Sequence, residues 1–145
     1  MTEVKIVNVS DNQLPGYATN GSSGMDLRAW VKEPLTLQPL ERVLVPTGLF
    51  IEMPEGYEAQ VRPRSGLAIR HGITCLNSPG TVDSDYRGEI KIILINLSGE
   101  KQIIQSGDRI AQLVFQKVER IIWKESDSLN ETQRNKGGFG STGKN

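Results

Sequence analysis

The sequence predicts an all-β domain, a sandwich or jelly roll, and three observations lead to that prediction. The chain carries 15 glycines and 7 prolines among 145 residues. They recur every 8 to 20 positions or so, which favours short strands over long helices. No amphipathic helical segment of ordinary length is present. No internal repeat of the length found in solenoids or propellers occurs, so a single β domain follows.

We expect about eight to ten short strands. Residues 4–9 alternate partly between apolar and polar side chains, and residues 42–53 are rich in β-branched residues. A turn at 54–56 is expected to join the second stretch to residues 57–61 in a hairpin. Helical structure is predicted only after Ser65, through Gly66 to Arg70.

Three strands are predicted in the second half of the chain. Residues 90–97 are almost wholly apolar, as in a strand that is covered on both faces. Residues 101–105 and 109–118 form two more strands, separated by turn residues at 106–108.

The size and net charge of the chain exclude some classes of function. A mass of 16.0 kDa suits one domain. Lysine plus arginine and aspartate plus glutamate both total 17, so the formal charge is zero. A general DNA or RNA coat needs a basic field, so any anionic partner must be bound locally.

One cysteine, Cys75, and one histidine, His71, exclude an intrachain disulfide, a Cys-rich zinc site and a multi-histidine metal centre. No apolar run approaches the ~20 residues of a membrane span. The first residues lack a basic stretch followed by an apolar signal core. We therefore expect a soluble, cytoplasmic protein.

The composition changes after residue 125. Leu129 and Phe139 are the only apolar side chains in 126–145, where Arg134 and several glycines follow without an acid near the end. We predict a β domain over 1–125 and a mobile arm over 126–145 that orders on an anion. The alternative is a disordered, solubilising tail.

The arm contains two misleading patterns. Residues 138–143 fit G-x-G-x-x-G, and Lys144 extends them to within one residue of a P-loop. Both motifs need a preceding strand and a following helix, and Asn145 stands where Ser or Thr is required. Neither phosphate-binding motif is therefore predicted.

Two other segments contain candidate catalytic or anion-binding residues. Residues 77–89 predict a turn-rich hairpin in which Asp83 could activate water and Tyr86 could pack on a sugar. The alternative is that Asp83 and Asp85 only end turns.

In residues 61–68 a predicted strand is followed by the start of a helix. Arg64 and Ser65 could bind an anion there, or they could simply begin a capped helix.

Taken together, five ordered segments resemble the trimeric dUTPase family over nearly the whole chain. They are Ser-Gly-Met-Asp-Leu-Arg-Ala at 23–29, Pro-Arg-Ser-Gly-Leu-Ala at 63–68, the run at 77–89, Gly-Asp-Arg-Ile-Ala-Gln-Leu at 107–113, and 134–143. The order of all five is far more specific than any one of them. The pattern departs at Asn135, where the family more often has glycine or serine.

This resemblance implies a fold, an assembly and a reaction. The fold would be a jelly-roll-like distorted barrel (β-clip) with a flexible glycine-rich arm, assembled as a homotrimer. Each active site would take its first, second and fourth motifs from one chain, the third from a neighbour and the arm from the third chain. The reaction would convert dUTP to dUMP and pyrophosphate. This would limit uracil incorporation into DNA and supply dUMP for dTMP synthesis.

The resemblance also assigns roles to residues. Asp83 would be the general base, and Tyr86 would lie under the deoxyribose and exclude a 2′-hydroxyl. Uracil would be held, largely through backbone, by Asn77, Gly80, Thr81, Val82 and Lys91. Phosphates would be bound by Arg64, Ser65, Gly66 and Gln112, and from the arm by Arg134, Gly140, Ser141 and Thr142. Phe139 would cover the uracil.

Magnesium is the implied cofactor. The triphosphate and water could supply most of its oxygen ligands, so no direct protein ligand is expected. Asp26 is expected either to have a structural role or to contact the ligands of the metal rather than the metal itself. We expect no nucleic-acid or membrane partner.

Two other functions remain open. A dCTP deaminase of the related fold would keep the triphosphate and attack the pyrimidine ring, but the run at 77–89 and the arm favour the diphosphatase. A non-catalytic nucleotide sensor or trimeric interaction module would be expected to lack Asp83 or the arm, and the sequence has both.

Overall fold

Short antiparallel strands make up most of the computed structural model, which describes residues 2–143. In chain order the elements are β1 (Lys5–Asn8), β2 (Met25–Arg28), β3 (Leu35–Leu37), β4 (Arg42–Pro46), β5 (Leu49–Glu52), β6 (Tyr57–Arg62), α1 (Ser65–His71), β7 (Ile73–Cys75), β8 (Gly80–Val82), β9 (Lys91–Asn96), β10 (Gln102–Ile104) and β11 (Arg109–Lys117). The all-β prediction is confirmed, and so is the single helix after Arg64.

The strands form four sheets. The largest has the order β2-β11-β6-β8, and a three-stranded sheet has the order β4-β9-β7. The two remaining sheets are the pairs β1-β5 and β10-β3. Every pairing between these strands is antiparallel.

One core joins the sheets. It includes fully buried Leu27 on β2, Leu94 on β9 and Leu113 on β11. Burying a side chain of this size contributes about 1.5 to 3 kcal/mol, so the core is the main source of stability. Among residues 2–143, no helix is long and apolar enough to cross a bilayer.

Two predicted hairpins are wrong. The stretch 42–53 breaks at Thr47 into β4 and β5, and β5 pairs with β1 rather than with β6. The chain changes sheets at Pro54–Gly56 because β6 pairs with β11 and β8. In the same way, β8 and β9 lie in different sheets, so 77–89 contains β8 and part of the connection to β9 rather than a hairpin.

The other predicted strands are confirmed with shifted ends, but residues 2–143 form eleven strands rather than eight to ten. Only one face of β9 is fully buried, the face that carries Ile92, Leu94 and Asn96. On the other face, Ile93 and Ile95 are half-buried in the single chain. The expected cover on both faces is therefore incomplete. Beyond β11 the chain leaves the core, since Ile122 and Trp123 are 96% and 90% exposed. The packed body thus ends before residue 125.

Candidate active site

Asp26 on β2 holds two arginines. Its Oδ1 accepts from Arg64 Nε at 2.9 Å, and its Oδ2 lies 3.3 Å from Arg109 Nη1. The Arg109 carbonyl accepts a further bond from Arg64 Nη1 at 3.1 Å. We call Asp26, Arg64, Arg109 and the nearby Gln112 the Arg64 cluster. Two hydrogen bonds fix the plane of the Arg64 guanidinium.

Strand register explains this grouping. Gln112 on β11 lies opposite Asp26 on β2 and opposite Arg62 on β6. Residues directly opposite one another project on the same face of a sheet, so Asp26 and Gln112 share a face. The bulge between Arg109 and Ala111 interrupts the same ladder. The chain then runs from Arg62 to Arg64, beside this row.

Ser65 and Gly66 form the exposed first turn of α1. The first intrahelical bond is donated by the amide of Ala68 to the carbonyl of Arg64 at 3.0 Å. Arg64, at the N-cap, makes no side-chain cap, and the first turn has no acid. The predicted phosphate-binding residues Arg64, Ser65, Gly66 and Gln112 are therefore neighbours.

The predicted uracil-binding residues lie on and before β8. Gly80 and Val82 are buried, whereas Asn77 and Thr81 are exposed. A Cβ on Gly80 would lie 3.0 Å from Asn77 Nδ2 and 3.4 Å from Val61 Cβ. Gly80 therefore lets the Asn77 amide lie against the strand. Lys91 begins β9, with its Nζ 3.7 Å from Glu89 Oε2.

Asp83 follows β8 and lines a cleft of about 630 Å³. The charged side chains around this cleft are four acids and two arginines, namely Glu55, Glu58, Asp83, Asp85, Arg87 and Arg120. Within residues 2–143 the Asp83 carboxylate makes no ion pair. The excess of acids makes this cleft, by itself, a poor site for a triphosphate.

Asp83 and the Arg64 cluster are far apart in the single chain. Val82 pairs with Ala59, so Asp83 leaves the sheet beside Glu58, while Arg64 follows the other end of β6. Glu58 and Arg62 are four residues apart, about 13 Å along the strand. Asp26 also lies on β2, three strands from β8, which adds a lateral separation of about 14 Å.

The loop after β8 fixes Tyr86. The Tyr86 hydroxyl donates to the Glu89 carbonyl at 3.0 Å, and its amide donates to the Asp83 carbonyl at 3.1 Å. The Glu89 carboxylate accepts from the amide of Gly48 at 2.9 Å. The ring nevertheless stays 46% exposed. Tyr86 therefore presents a held but accessible aromatic face.

Among residues 2–143, the predicted arm residues form no hydrogen bond with the Arg64 cluster or with the segment that carries Asp83 and Tyr86. Arg134 Nε donates to the Gly137 carbonyl at 2.8 Å, and Phe139 is fully exposed. Gly140, Ser141 and Thr142 are exposed as well, and Asn135 has a positive φ of 43°. Within the described part of the chain, residues 126–143 form hydrogen bonds only with one another. Lys144 lies outside the described residues.

Two residues of interest were not singled out from the sequence. Arg109 shares the Asp26 carboxylate with Arg64, and its only sequence signal is a basic residue just after the turn at 106–108. Gly88 lies under the Tyr86 ring, and its sequence signal is a glycine two residues after the aromatic. Contacts between side chains, rather than residue types, identify both.

The chain matches known proteins along most of its length. The dUTPase family model matches residues 10–143. A deoxyuridine 5'-triphosphate nucleotidohydrolase of Finegoldia magna is 61% identical over 141 residues, which cover 97% of this chain and 99% of that protein. The protein of the same name from Cytophaga hutchinsonii is 62% identical over 143 residues, covering 99% and 93% respectively.

Solved structures share the fold. A Staphylococcus bacteriophage 80alpha dUTPase mutant with dUpNHpp superposes with a TM-score of 0.84 at 21% identity and covers 99% of both chains. A mutant dUTPase from phage phi11 of S. aureus, whose structure reveals the coordination of a structural Mg(II) ion, gives a TM-score of 0.78 at 20% identity. It covers 89% of this chain and 99% of its own.

Proposed function

This chain belongs to the dUTPase family, and we propose that it hydrolyses dUTP to dUMP and pyrophosphate in active sites shared between three copies of the chain. The family match over residues 10–143 supports the activity. The separation of Asp83 from the Arg64 cluster supports the sharing. The product dUMP would serve dTMP synthesis, and removal of dUTP would limit uracil in DNA.

The geometry of one chain cannot complete the reaction. In-line attack requires the water, its base and the phosphate ligands to meet within a few ångströms of one phosphorus atom. Asp83 follows β8 at one edge of the sheet, whereas Arg64 follows the opposite end of β6 and bonds to Asp26 on β2, the other edge strand. A site that contains both therefore needs Asp83 from one chain and Arg64 from another.

In the proposed site each group has a chemical task. Asp83 takes a proton from the water that attacks the α-phosphorus, as a general base. Arg64, Ser65, Gly66 and Gln112 bind the phosphate chain of the same nucleotide. The Asp26 carboxylate keeps Arg64 in place, so the positive charge is oriented before the substrate arrives.

Uracil and deoxyribose would be recognised by the segment that carries Asp83. Asn77, Gly80, Thr81, Val82 and Lys91 surround the pyrimidine edge largely through backbone. A backbone hydrogen-bonding pattern that fits uracil leaves groups unpaired with cytosine, which can cost 10⁴-fold or more in general. Tyr86 packs under the sugar and excludes a 2′-hydroxyl.

Magnesium is part of the same proposal. No group of three or more His, Cys, Asp or Glu side chains in residues 2–143 could hold a metal ion. Both Asp26 oxygens face arginines, so Asp26 fits a role in positioning Arg64 rather than in supporting the metal. A magnesium ion carried by the phosphates and water would neutralise charge on the leaving pyrophosphate.

The arm and the exposed segment before it support a trimer. Ile121, Ile122 and Trp123 are 65%, 96% and 90% exposed, which is costly for adjacent large apolar side chains. A neighbouring chain would cover them. The arm, 126–145, would then close over a neighbour's site, with Arg134, Gly140, Ser141 and Thr142 on the phosphates and Phe139 over the uracil.

A jelly-roll-like barrel is the fold proposed for each chain.

Separate incubations with dUTP and dCTP test the reaction. We expect pyrophosphate release from dUTP, with activity lost on chelation by EDTA and restored by Mg²⁺. Ammonia release from dCTP would instead indicate the deaminase of the related fold. In water labelled with ¹⁸O the label should enter dUMP, because the attack is at the α-phosphorus. Label in pyrophosphate would contradict the proposed attack.

A further inference from the structure

Gly88 has no room for a side chain. A Cβ built on Gly88 would lie less than 3.0 Å from three atoms of Tyr86, namely Oη, Cζ and Cε2, which is closer than real Cβ atoms approach other heavy atoms. Its φ is not in the left-handed region that favours glycine. The tyrosine ring, and not the backbone conformation, therefore requires glycine here.

The ring of Tyr86 depends on this close approach. Its hydroxyl reaches the Glu89 carbonyl, one residue beyond Gly88, only because the ring lies flat against the chain at Gly88. Glu89 is itself held through its carboxylate by the amide of Gly48 at 2.9 Å. The hydroxyl end of the ring is thus held by Gly88 and Glu89, while the side chain as a whole stays 46% exposed.

We propose that Gly88 is a positioning residue that sets the sugar specificity of the site by holding Tyr86 in place. This inference rests on the proposed function. Tyr86 can exclude a 2′-hydroxyl only if its ring cannot move by the width of one oxygen atom. A methyl group on Gly88 displaces the ring and breaks its bond to Glu89, so the space for a 2′-hydroxyl opens.

The test compares kcat/KM for dUTP and UTP in the wild type and in Gly88→Ala. We expect the preference for dUTP over UTP to fall about tenfold or more, the size of effect that removal of a steric exclusion normally has. Gly99→Ala is the matched control. Like Gly88, Gly99 lies in a connecting segment and needs no positive φ, but nothing lies within 4 Å of its added Cβ, so the preference should not change.

A second pair of variants isolates the ring. In a Tyr86→Ala background there is no ring to displace, so adding Gly88→Ala should leave the dUTP:UTP ratio unchanged. If Gly88→Ala alone fails to fold but the double variant folds, the clash with the ring is confirmed as well. If Tyr86→Ala folds but the double variant does not, the inference is overturned, because Gly88 then acts through something other than Tyr86.

The two proposals fail in different ways. If the wild type hydrolyses dUTP and prefers it to UTP, but Gly88→Ala keeps that preference, only the inference about Gly88 is wrong. If the wild type releases pyrophosphate from neither nucleotide, the proposed function is wrong and the inference falls with it.

Discussion

At the scale of single residues, the site separates residues that act from residues that hold others in place. Asp83 is exposed and forms no ion pair within residues 2–143, so its oxygens are open to water. Asp26 is the opposite case, since both of its oxygens are taken by arginines. Two aspartates in one chain therefore have different expected effects when mutated.

Asp83→Asn should keep nucleotide binding and lose most turnover. The amide has the size of the carboxylate but cannot accept a proton, and loss of a general base costs roughly 10² to 10⁴ in rate. Binding of a non-hydrolysable dUTP analogue and kcat should be measured together. Asp85→Asn is the control, because Asp85 lines the same cleft. Near-normal turnover in Asp83→Asn would remove Asp83 from the mechanism.

Asp26→Asn should raise the KM for dUTP about tenfold at saturating Mg²⁺, because an uncharged amide holds the two arginines less firmly than a carboxylate. The Mg²⁺ concentration for half-maximal activity should not change. Glu52→Gln, which weakens the exposed pairs with Lys5 and Arg87 and lies away from Asp26, is the control. If the Mg²⁺ dependence shifts while KM stays constant, Asp26 acts on the metal instead.

Cys75 predicts a pH effect on stability. It is 2% exposed, and burial raises the pKa of its thiol from 9.0 to about 11. The unfolded chain therefore loses this proton at lower pH than the folded chain, so stability falls as pH rises from about 9 to 11. The loss should reach about 2 kcal/mol.

Urea unfolding at several pH values measures this effect. The wild type should lose more stability than Cys75→Ala over the same range, since other groups titrate equally in both. Equal slopes in the two proteins would show that Cys75 does not contribute. The folded wild type should also react slowly with a thiol reagent at neutral pH.

At the scale of elements, β11 marks the end of the packed body. Its residues Ile110, Ala111, Leu113 and Val114 are buried, whereas all residues of 116–136 are exposed. Segment 126–143 bonds only to itself through local turns. The arm therefore adds nothing to the core of its own chain.

A chain cut after Asn130 should stay folded and trimeric but lose most activity. The cut removes Arg134 and Phe139 without exposing core, so the thermal midpoint should change little. Circular dichroism, size-exclusion chromatography and kcat/KM for dUTP test this. A chain cut after Thr142 keeps the predicted arm residues and is the control. Loss of the trimer on cutting after Asn130 would show that the arm is structural.

At the scale of the whole molecule, the sheet order β2-β11-β6-β8 places Asp83 beyond one edge strand, whereas Arg64 bonds to Asp26 on the other edge strand. If sites form between chains, a base from one mutant can complete the phosphate site of another. Inactive variants should then complement each other. This property distinguishes shared sites from sites within one chain.

Mixing Asp83→Asn with Arg64→Ala subunits should restore activity. After random exchange, a site with both intact residues forms with a probability of about one quarter, so activity should approach that fraction of the wild type. Asp83→Asn mixed with Asp83→Ala is the control and should stay inactive. If labelled subunits exchange but activity does not return, each site lies within one chain.

The sequence by itself determined what depends on neighbouring residues. Glycine and proline spacing predicted the short strands, the turn at Ser65 predicted α1, and the composition after residue 125 predicted a segment without core. The five ordered segments predicted the family and the chemistry of the site residues. The strands, the helix and the family are confirmed, and in each of them residues close together in the sequence decide the outcome.

Only the tertiary structure decided which strands pair and what each side chain touches. It paired β5 with β1 and β8 with β6, assigned Asp26 to two arginines, and placed Gly88 under Tyr86. Alternation along a strand gives its faces but not its neighbour, because the neighbour is chosen by core packing with residues far away in the chain. The separation of Asp83 from Arg64 follows from that choice of partners.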